Sequence, residues 1–237
     1  MSDSGLVPKD AGVETIGRLL GRIVHDFNNP LAAIIGFSDL LRSPNLSDEK
    51  RQRFVQRIHE QALRLGQLVE TMSHYANMPS PEVAAIDMRR SVTDFLGLRQ
   101  AGLDLLRVQL EVDIADVVPQ AMGECGLINR VLSAMLNNLE QILKEHPDAP
   151  RKGRLALWAD DEHVILDLID SGPGVPEELK EEIFEPFFST RRAGGLGLGL
   201  TVARSLSRRL GGDLLLVPSP SPEYAGACFR LMLKRAA

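Results

Sequence analysis

Cysteine is almost missing from this chain: Cys125 and Cys228 are the only two in 237 residues. They have neither the spacing of a metal site nor the density of a disulfide scaffold, which points to a reducing compartment. No apolar run approaches the ~20 residues that a membrane-spanning helix needs, so membrane insertion is not expected. Residues 1–15 mix acids, Ser, Gly and Pro with no basic region leading into an apolar one. They do not read as a secretion signal, and the expected location is the cytoplasm. Lys and Arg number 27 against 32 Asp and Glu, a formal net charge of -5. Nucleic acid and anionic membrane both call for a basic surface, so neither is expected as the main partner. Internal repeats and low-complexity tracts are also absent.

What remains is ordinary for a globular protein, 44% apolar and 25% charged, with length enough for two modest domains. Ile16, Leu19, Leu20, Ile23, Val24, Phe27, Leu31, Ile34, Ile35 and Leu41 recur at three- and four-residue spacing. That spacing predicts an amphipathic helix over 16–41, bent by Pro30 just after 25–29. Ser47, followed by Asp48 and Glu49, starts a second helix that runs to about Ala76. Its stripe of Phe54, Ile58, Leu65, Leu68, Val69 and Met72 packs it on the first as an antiparallel hairpin. Two such helices leave too much apolar surface uncovered, and pairing of two hairpins into a four-helix bundle makes the expected assembly a homodimer. The turn-rich Met78-Pro79-Ser80-Pro81 marks the boundary, giving a flexible N-terminus at 1–14, a hairpin at 15–80 and a second domain at 81–237. In that domain β-like runs at 108–112, 154–159, 164–169, 214–217 and 228–233 alternate with helical patterns near 88–102, 124–145 and 198–210. This is the pattern of an α+β sandwich, with helices on one face of a mixed sheet.

Four segments of the second domain carry candidate chemistry. Asp170-Ser171-Gly172-Pro173-Gly174 follows a buried apolar run. It places an acid able to accept from an exocyclic amine beside glycines that let backbone approach a flat ligand. Gly194-Gly195-Leu196-Gly197-Leu198-Gly199-Leu200 leads into a helix and bares backbone N–H groups suited to phosphates. It lacks the lysine and the Ser or Thr of a P-loop. Between them, the aromatic cluster from Phe184 to Phe188, followed by Ser189, Thr190, Arg191 and Arg192, can fold over a nucleotide with an arginine near its terminal phosphate. Upstream, the helix carrying Asn137 and Asn138 offers carboxamide oxygens to a nucleotide-bound Mg²⁺. Taken singly, these also read as a tight turn, a flexible hinge, a surface loop with an apolar plug and an ordinary polar face.

Together and in this order they resemble the ATP-binding domain of the sensor histidine kinases, a fold shared with gyrase-type ATPases and Hsp90. The matching boxes are Asn138 with its helix, residues 170–174, 184–188 and 195–200, and the resemblance runs from about residue 83 to the final strand. It implies that Asp170 reads the adenine amino group, flanked by Gly172 and Gly174. It further implies that Gly195, Gly197 and Gly199 hold the phosphates of ATP, and that Asn138 binds Mg²⁺. Two positions depart from the pattern: Ala134 stands where a second asparagine is usual, and Leu196 where Thr or Ser is frequent. Related ATPases place a water-activating glutamate at the position of Ala134, so hydrolysis by water is expected to be poor.

In the first domain His25-Asp26-Phe27-Asn28-Asn29-Pro30 resembles the phosphoacceptor box of the same family. Imidazole with an unperturbed pKa of about 6.5 is available as a neutral nucleophile near neutrality. Asp26 can accept its second N–H and fix the tautomer. The resemblance makes His25 the phosphoacceptor and Asn29 the residue that orients a water for dephosphorylating the partner. The implied partner is a response-regulator receiver domain, with an upstream sensor protein supplying input. His59, His74, His146 and His163 read as structural or solvated, and Arg51, Arg53, Arg57 and Arg64 as a solvated face, with docking of an acidic receiver domain as the alternative. Two other classes compete: a dimeric phosphotransfer scaffold with a weakened ATP site, and a serine kinase of the anti-sigma type, which lacks the hairpin and its histidine box.

Overall fold

The computed structural model describes residues 10–44, 46–76, 81–146, 150–186, 188–189, 197–221 and 223–236; within these, side chains are described except at 10–23, 25, 26, 64, 67 and 70–76. The chain forms two compact units, Met1–Met78 and Pro79–Ala237.

The first unit is a hairpin of α1 (Asp10–Leu41) and α2 (Asp48–Ala76). Helix α1 begins six residues before Ile16, because apolar periodicity marks the packed face of a helix and not its first turn. Pro30 lies inside α1 and is buried, so the helix continues past the one position that has no N–H to donate. Arg42 N–H to Asp39 O at 3.1 Å and Ser43 N–H to Leu40 O at 3.2 Å close its last turn. At the start of α2 the Ser47 hydroxyl accepts from Lys50 N–H at 3.4 Å, and Asp48 and Glu49 complement the positive end of the helix dipole. Near the turn the rings of Phe37 and Phe54 meet at 5.6 Å between centroids.

The second unit is the expected α+β sandwich. Its order is β1 (Ala84–Ile86), α3 (Met88–Leu105), β2 (Gln109–Ile114), β3 (Ala121–Gly123), α4 (Cys125–Glu145), β4 (Lys152–Ala159), β5 (His163–Asp170), α5 (Gly199–Arg209), β6 (Asp213–Val217) and β7 (Cys228–Lys234). Two 3-10 turns, Glu177–Leu179 and Glu182–Phe184, precede α5. Strands run β2-β4-β5-β7-β6; β2 and β4 are parallel and the other pairs antiparallel, while β1 and β3 form a separate two-stranded ribbon. Register sets Leu157, Leu166, Leu231 and Leu214 in one buried row across the sheet. Helix α4 lays Ile128, Val131, Leu132, Met135, Leu136, Leu139 and Leu143 over that face. Each such leucine contributes roughly 1.5–3 kcal/mol through burial. Alternate residues face the other way: there Asp167 is buried and held by a paired contact from Arg230 at 2.7 and 2.8 Å. Among the described residues no helix is long and apolar enough to cross a membrane.

Candidate functional site

Strand β5 ends on Asp170, which is 3% exposed and lies on the helix-covered face opposite Gly153. Two backbone donors address the same carboxylate oxygen: Gly172 N–H at 2.8 Å and Ala227 N–H at 3.2 Å, both to Oδ1. The main chain is tied as well, Asp170 N–H to Ala227 O at 3.0 Å and Gly226 N–H to Asp170 O at 3.1 Å. Burial pushes the carboxyl above its ordinary range, and the amides of Gly172 and Ala227 and the charge of His146 pull it part of the way back. The carboxylate is thus fixed in orientation with Oδ1 engaged, which suits Oδ2 to a donor arriving from outside the protein.

Close approach is built into the surroundings. A Cβ on Gly226 would stand 2.0 Å from Asp170 Oδ1 and 2.4 Å from its carbonyl oxygen. One on Gly172 would stand 2.8 Å from Oδ1 and 3.1 Å from the Ile142 side chain. Gly174 adopts φ 76°, a left-handed conformation that side chains disfavour. Ile142 lies one turn beyond Asn138 on α4, so the face of α4 that carries Asn138 is the one that borders the 170–174 loop. Asn138 is half-buried, and Ala134 is half-buried one turn before it. Its neighbour Asn137 is turned outward and accepts from Arg99 at 2.8 Å.

The aromatic and glycine boxes meet at α5. Phe184 is buried edge-on against Phe229, centroids 6.3 Å apart, and the Arg204 guanidinium lies 4.5 Å over its ring. Arg204 also binds Asp213 at 3.2 Å, so the aromatic segment is anchored to α5 and β6. Gly197 takes φ 62° and ends the turn into α5, whereas Gly199 is helical and no described residue stands where its Cβ would go. The backbone conformation therefore favours glycine at 197, while the described surroundings leave room for a side chain at 199. Thr201, buried, donates to Gly197 O at 3.4 Å. Arg191, Gly195, Leu196, Phe187 and Thr190 lie outside the described residues.

These features fit a purine nucleotide with its metal: a rigid buried acceptor for an amine, a wall of backbone without side chains, a carboxamide on the adjoining helix, and the first turn of α5, where backbone N–H groups have no helical partner. The sequence had not singled out Gly226 and Ala227, which take part in three of the four hydrogen bonds described for Asp170, nor His146, whose ring nitrogen sits 3.0 Å from Ile142 O. A Gly-Ala pair immediately before the last apolar run was the available signal.

In the first unit His25 and Asp26 lie on α1, and Asn29, one turn beyond residue 25, is exposed. Arg53 pairs with Glu49 at 2.7 Å and Arg57 with Glu60 at 3.2 Å, each within α2, as expected of a solvated face.

Comparison with known proteins follows the same division. Residues 126–237 match the histidine kinase-, DNA gyrase B-, and HSP90-like ATPase family, and residues 15–81 match the His Kinase A (phospho-acceptor) domain. The chain is 30% identical to the nitrogen regulation protein NtrY of Azorhizobium caulinodans over 224 residues, 90% of this chain and 28% of that protein. It is 31% identical to the sensor histidine kinase AruS of Pseudomonas aeruginosa over 208 residues, 83% of this chain and 21% of that protein. It thus spans less than a third of the length of either relative. Histidine kinase ThkA, solved in complex with the response regulator protein TrrA, superposes with a TM-score of 0.75 at 20% identity, over 97% of this chain and 64% of that one. The histidine kinase AdeS of Acinetobacter baumannii gives 0.63 at 17% identity, over 90% and 98%. At these identities the structures show the fold. With a phospho-acceptor segment and an ATPase segment matched in one chain, and sensor kinases among its relatives, the chain belongs to the two-component sensor histidine kinases.

Proposed function

We propose that the chain transfers the γ-phosphoryl group of ATP to His25 and from there to an aspartate of a response-regulator receiver domain. The observation that carries this reading is the buried Asp170, held through Oδ1 by Gly172 and Ala227 and walled by Gly226, in a chain whose other unit bears His25-Asp26-Phe27-Asn28-Asn29-Pro30 on a helix. Asp170 Oδ2 accepts the adenine amine. Gly197 in the turn before α5 and Gly199 at the start of that helix, together with Gly195, cradle the phosphates, and Arg191 serves the terminal one. Asn138 would ligate a nucleotide-bound Mg²⁺, which would supply neutralisation of phosphate charge.

A ring nitrogen of His25 attacks the γ-phosphorus. The bond to the bridging oxygen breaks, and ADP departs with that electron pair. Asp26 accepts the remaining ring N–H and stabilises the positive charge that grows on the imidazole. The phosphoryl group then passes to the receiver carboxylate, which regenerates neutral imidazole. Asn29, exposed one turn from residue 25, orients a water for the reverse task of dephosphorylating the receiver.

The active form is a homodimer. On α1 Val24, Leu31 and Ile35 follow heptad spacing and stand 55%, 45% and 54% exposed, and on α2 Val55 and Val69 are equally open. A second hairpin laid on this stripe completes a four-helix bundle. The protein works in the cytoplasm and takes its input from an upstream sensor. The test is incubation with γ-labelled ATP and Mg²⁺. Label on the protein that survives base and is lost in acid supports a phosphohistidine; acid-stable label identifies a serine kinase and sinks the proposal.

A further inference from the structure

The loop between β6 and β7 does more than reverse the chain. Tyr224, 4% exposed, packs its ring with Ile169 and Cys228 on the sheet face opposite the helices. Its hydroxyl donates to Glu111 Oε2 at 2.8 Å, a contact between residues 113 positions apart. Glu111 lies on the edge strand β2, two strands away from β5, and is held in turn by Arg154, at 3.7 Å from its Oε1. Arg154 is itself fixed by Asp113 at 2.6 Å. Ser219 donates to the Tyr224 carbonyl oxygen, which closes the loop on itself. Tyr224 is followed directly by Ala225, Gly226 and Ala227. Gly226 and Ala227 donate to Asp170, and the Ala225 carbonyl oxygen would lie 3.5 Å from a Cβ on Gly174.

We infer that Tyr224 is a positioning residue for base recognition: its hydrogen bond to Glu111 clamps the Ala225-Gly226-Ala227 segment, which sets the orientation of the Asp170 carboxylate. The inference rests on the reading that Asp170 receives the adenine amine. Burial, and then the hydrogen bond to Glu111, hold the phenol proton in place, so Tyr224 remains the donor across the physiological range. Without this tie the segment stays packed through the tyrosine ring but loses its anchor to the far side of the sheet. Ala227 N–H then no longer holds Oδ1 at one angle. Tyr224 touches no nucleotide in this arrangement and acts only through Asp170.

The experiment is calorimetric titration of the full chain with Mg-ATP and with Mg-ITP, whose base carries a carbonyl in place of the amine. The wild type is expected to prefer ATP. Tyr224→Phe keeps the ring and removes the hydroxyl; it should weaken ATP binding by about three- to tenfold, the range of one net hydrogen bond, and leave ITP almost unchanged. Glu111→Ala should match it, the double variant should be no weaker than either single, and Glu111→Gln, which retains an acceptor, should restore the wild-type preference. A purely structural tyrosine would lower the melting temperature without narrowing the ATP-over-ITP ratio. An unchanged ratio in Tyr224→Phe, or additive losses in the double variant, overturns the inference. If Tyr224→Phe fails to fold, Glu111→Ala and Glu111→Gln decide the matter from the other end of the bond. A wild type that binds ATP and ITP equally overturns the base-recognition reading, and the inference with it.

Discussion

Asp170→Asn preserves the shape of the side chain while removing its charge and one acceptor, and the structure fixes what the amide must then do. Gly172 and Ala227 both point N–H groups at Oδ1, at 2.8 and 3.2 Å. The asparagine must therefore put its carbonyl oxygen there, which leaves its NH₂ in the place of Oδ2. An adenine amine then faces a donor instead of an acceptor. Losing a hydrogen bond to a charged group costs about 1.5–3 kcal/mol, or roughly ten- to hundredfold in Kd for ATP. ITP presents a carbonyl to the same NH₂, so its affinity should hold or improve and the base preference should invert. The empty protein should respond in the opposite sense. A carboxylate 3% exposed is stabilised by two amides against a larger desolvation cost, so the amide should melt no lower than the wild type at neutral pH. Calorimetric titration with both nucleotides, with melting curves as the control, checks all three. Asp170→Asn binding ATP as tightly as the wild type, or losing ATP and ITP equally, would refute the reasoning.

Other perturbations follow from the same geometry. Gly226→Ala places a methyl group 2.0 Å from Asp170 Oδ1; the backbone must shift, at a cost of about 1–3 kcal/mol seen in denaturant melts, and ATP binding should fall with it. The raised carboxyl of Asp170 means that the folded state binds this proton more tightly than the unfolded chain, whose value is about 3.9. Its contribution to stability is complete below that value and is lost as pH rises through the folded one. The stability of the wild type relative to Asp170→Asn should therefore decline from acid toward neutral pH, as melts across that window will report. Ala134→Asn supplies a second carboxamide one turn before Asn138 and should lower the Mg²⁺ concentration needed for half-maximal autophosphorylation, measured by metal titration at fixed ATP.

Much of the second unit was legible because its signals are periodic. The apolar alternation of β4, β5 and β7 and the three- and four-residue spacing in α4 gave their positions to within a few residues of Lys152–Ala159, His163–Asp170, Cys228–Lys234 and Cys125–Glu145. Strands β1 and β3, three residues each, are too short to show a period and were not foreseen. Asp170, Gly172 and Gly174 form a compact local motif and could be picked out together. Gly226 and Ala227 could not, since they reach Asp170 through strand pairing across 56 to 57 positions. The contact of Tyr224 with Glu111 spans 113. Pairing at that range belongs to the folded sheet, and neither residue type marks it in advance. Gly199 shows the converse: it belongs to the glycine run, yet the described surroundings leave room for a side chain.

In the proposed reaction His25 accepts the phosphoryl group from ATP held at Asp170. Its most direct test compares the wild type with His25→Ala, each incubated with γ-labelled ATP and Mg²⁺, with ATP binding measured in parallel. The two should bind ATP equally, with acid-labile label on the wild type and none on His25→Ala. Label that persists in His25→Ala, or a wild type that binds ATP and takes up no label, would contradict it.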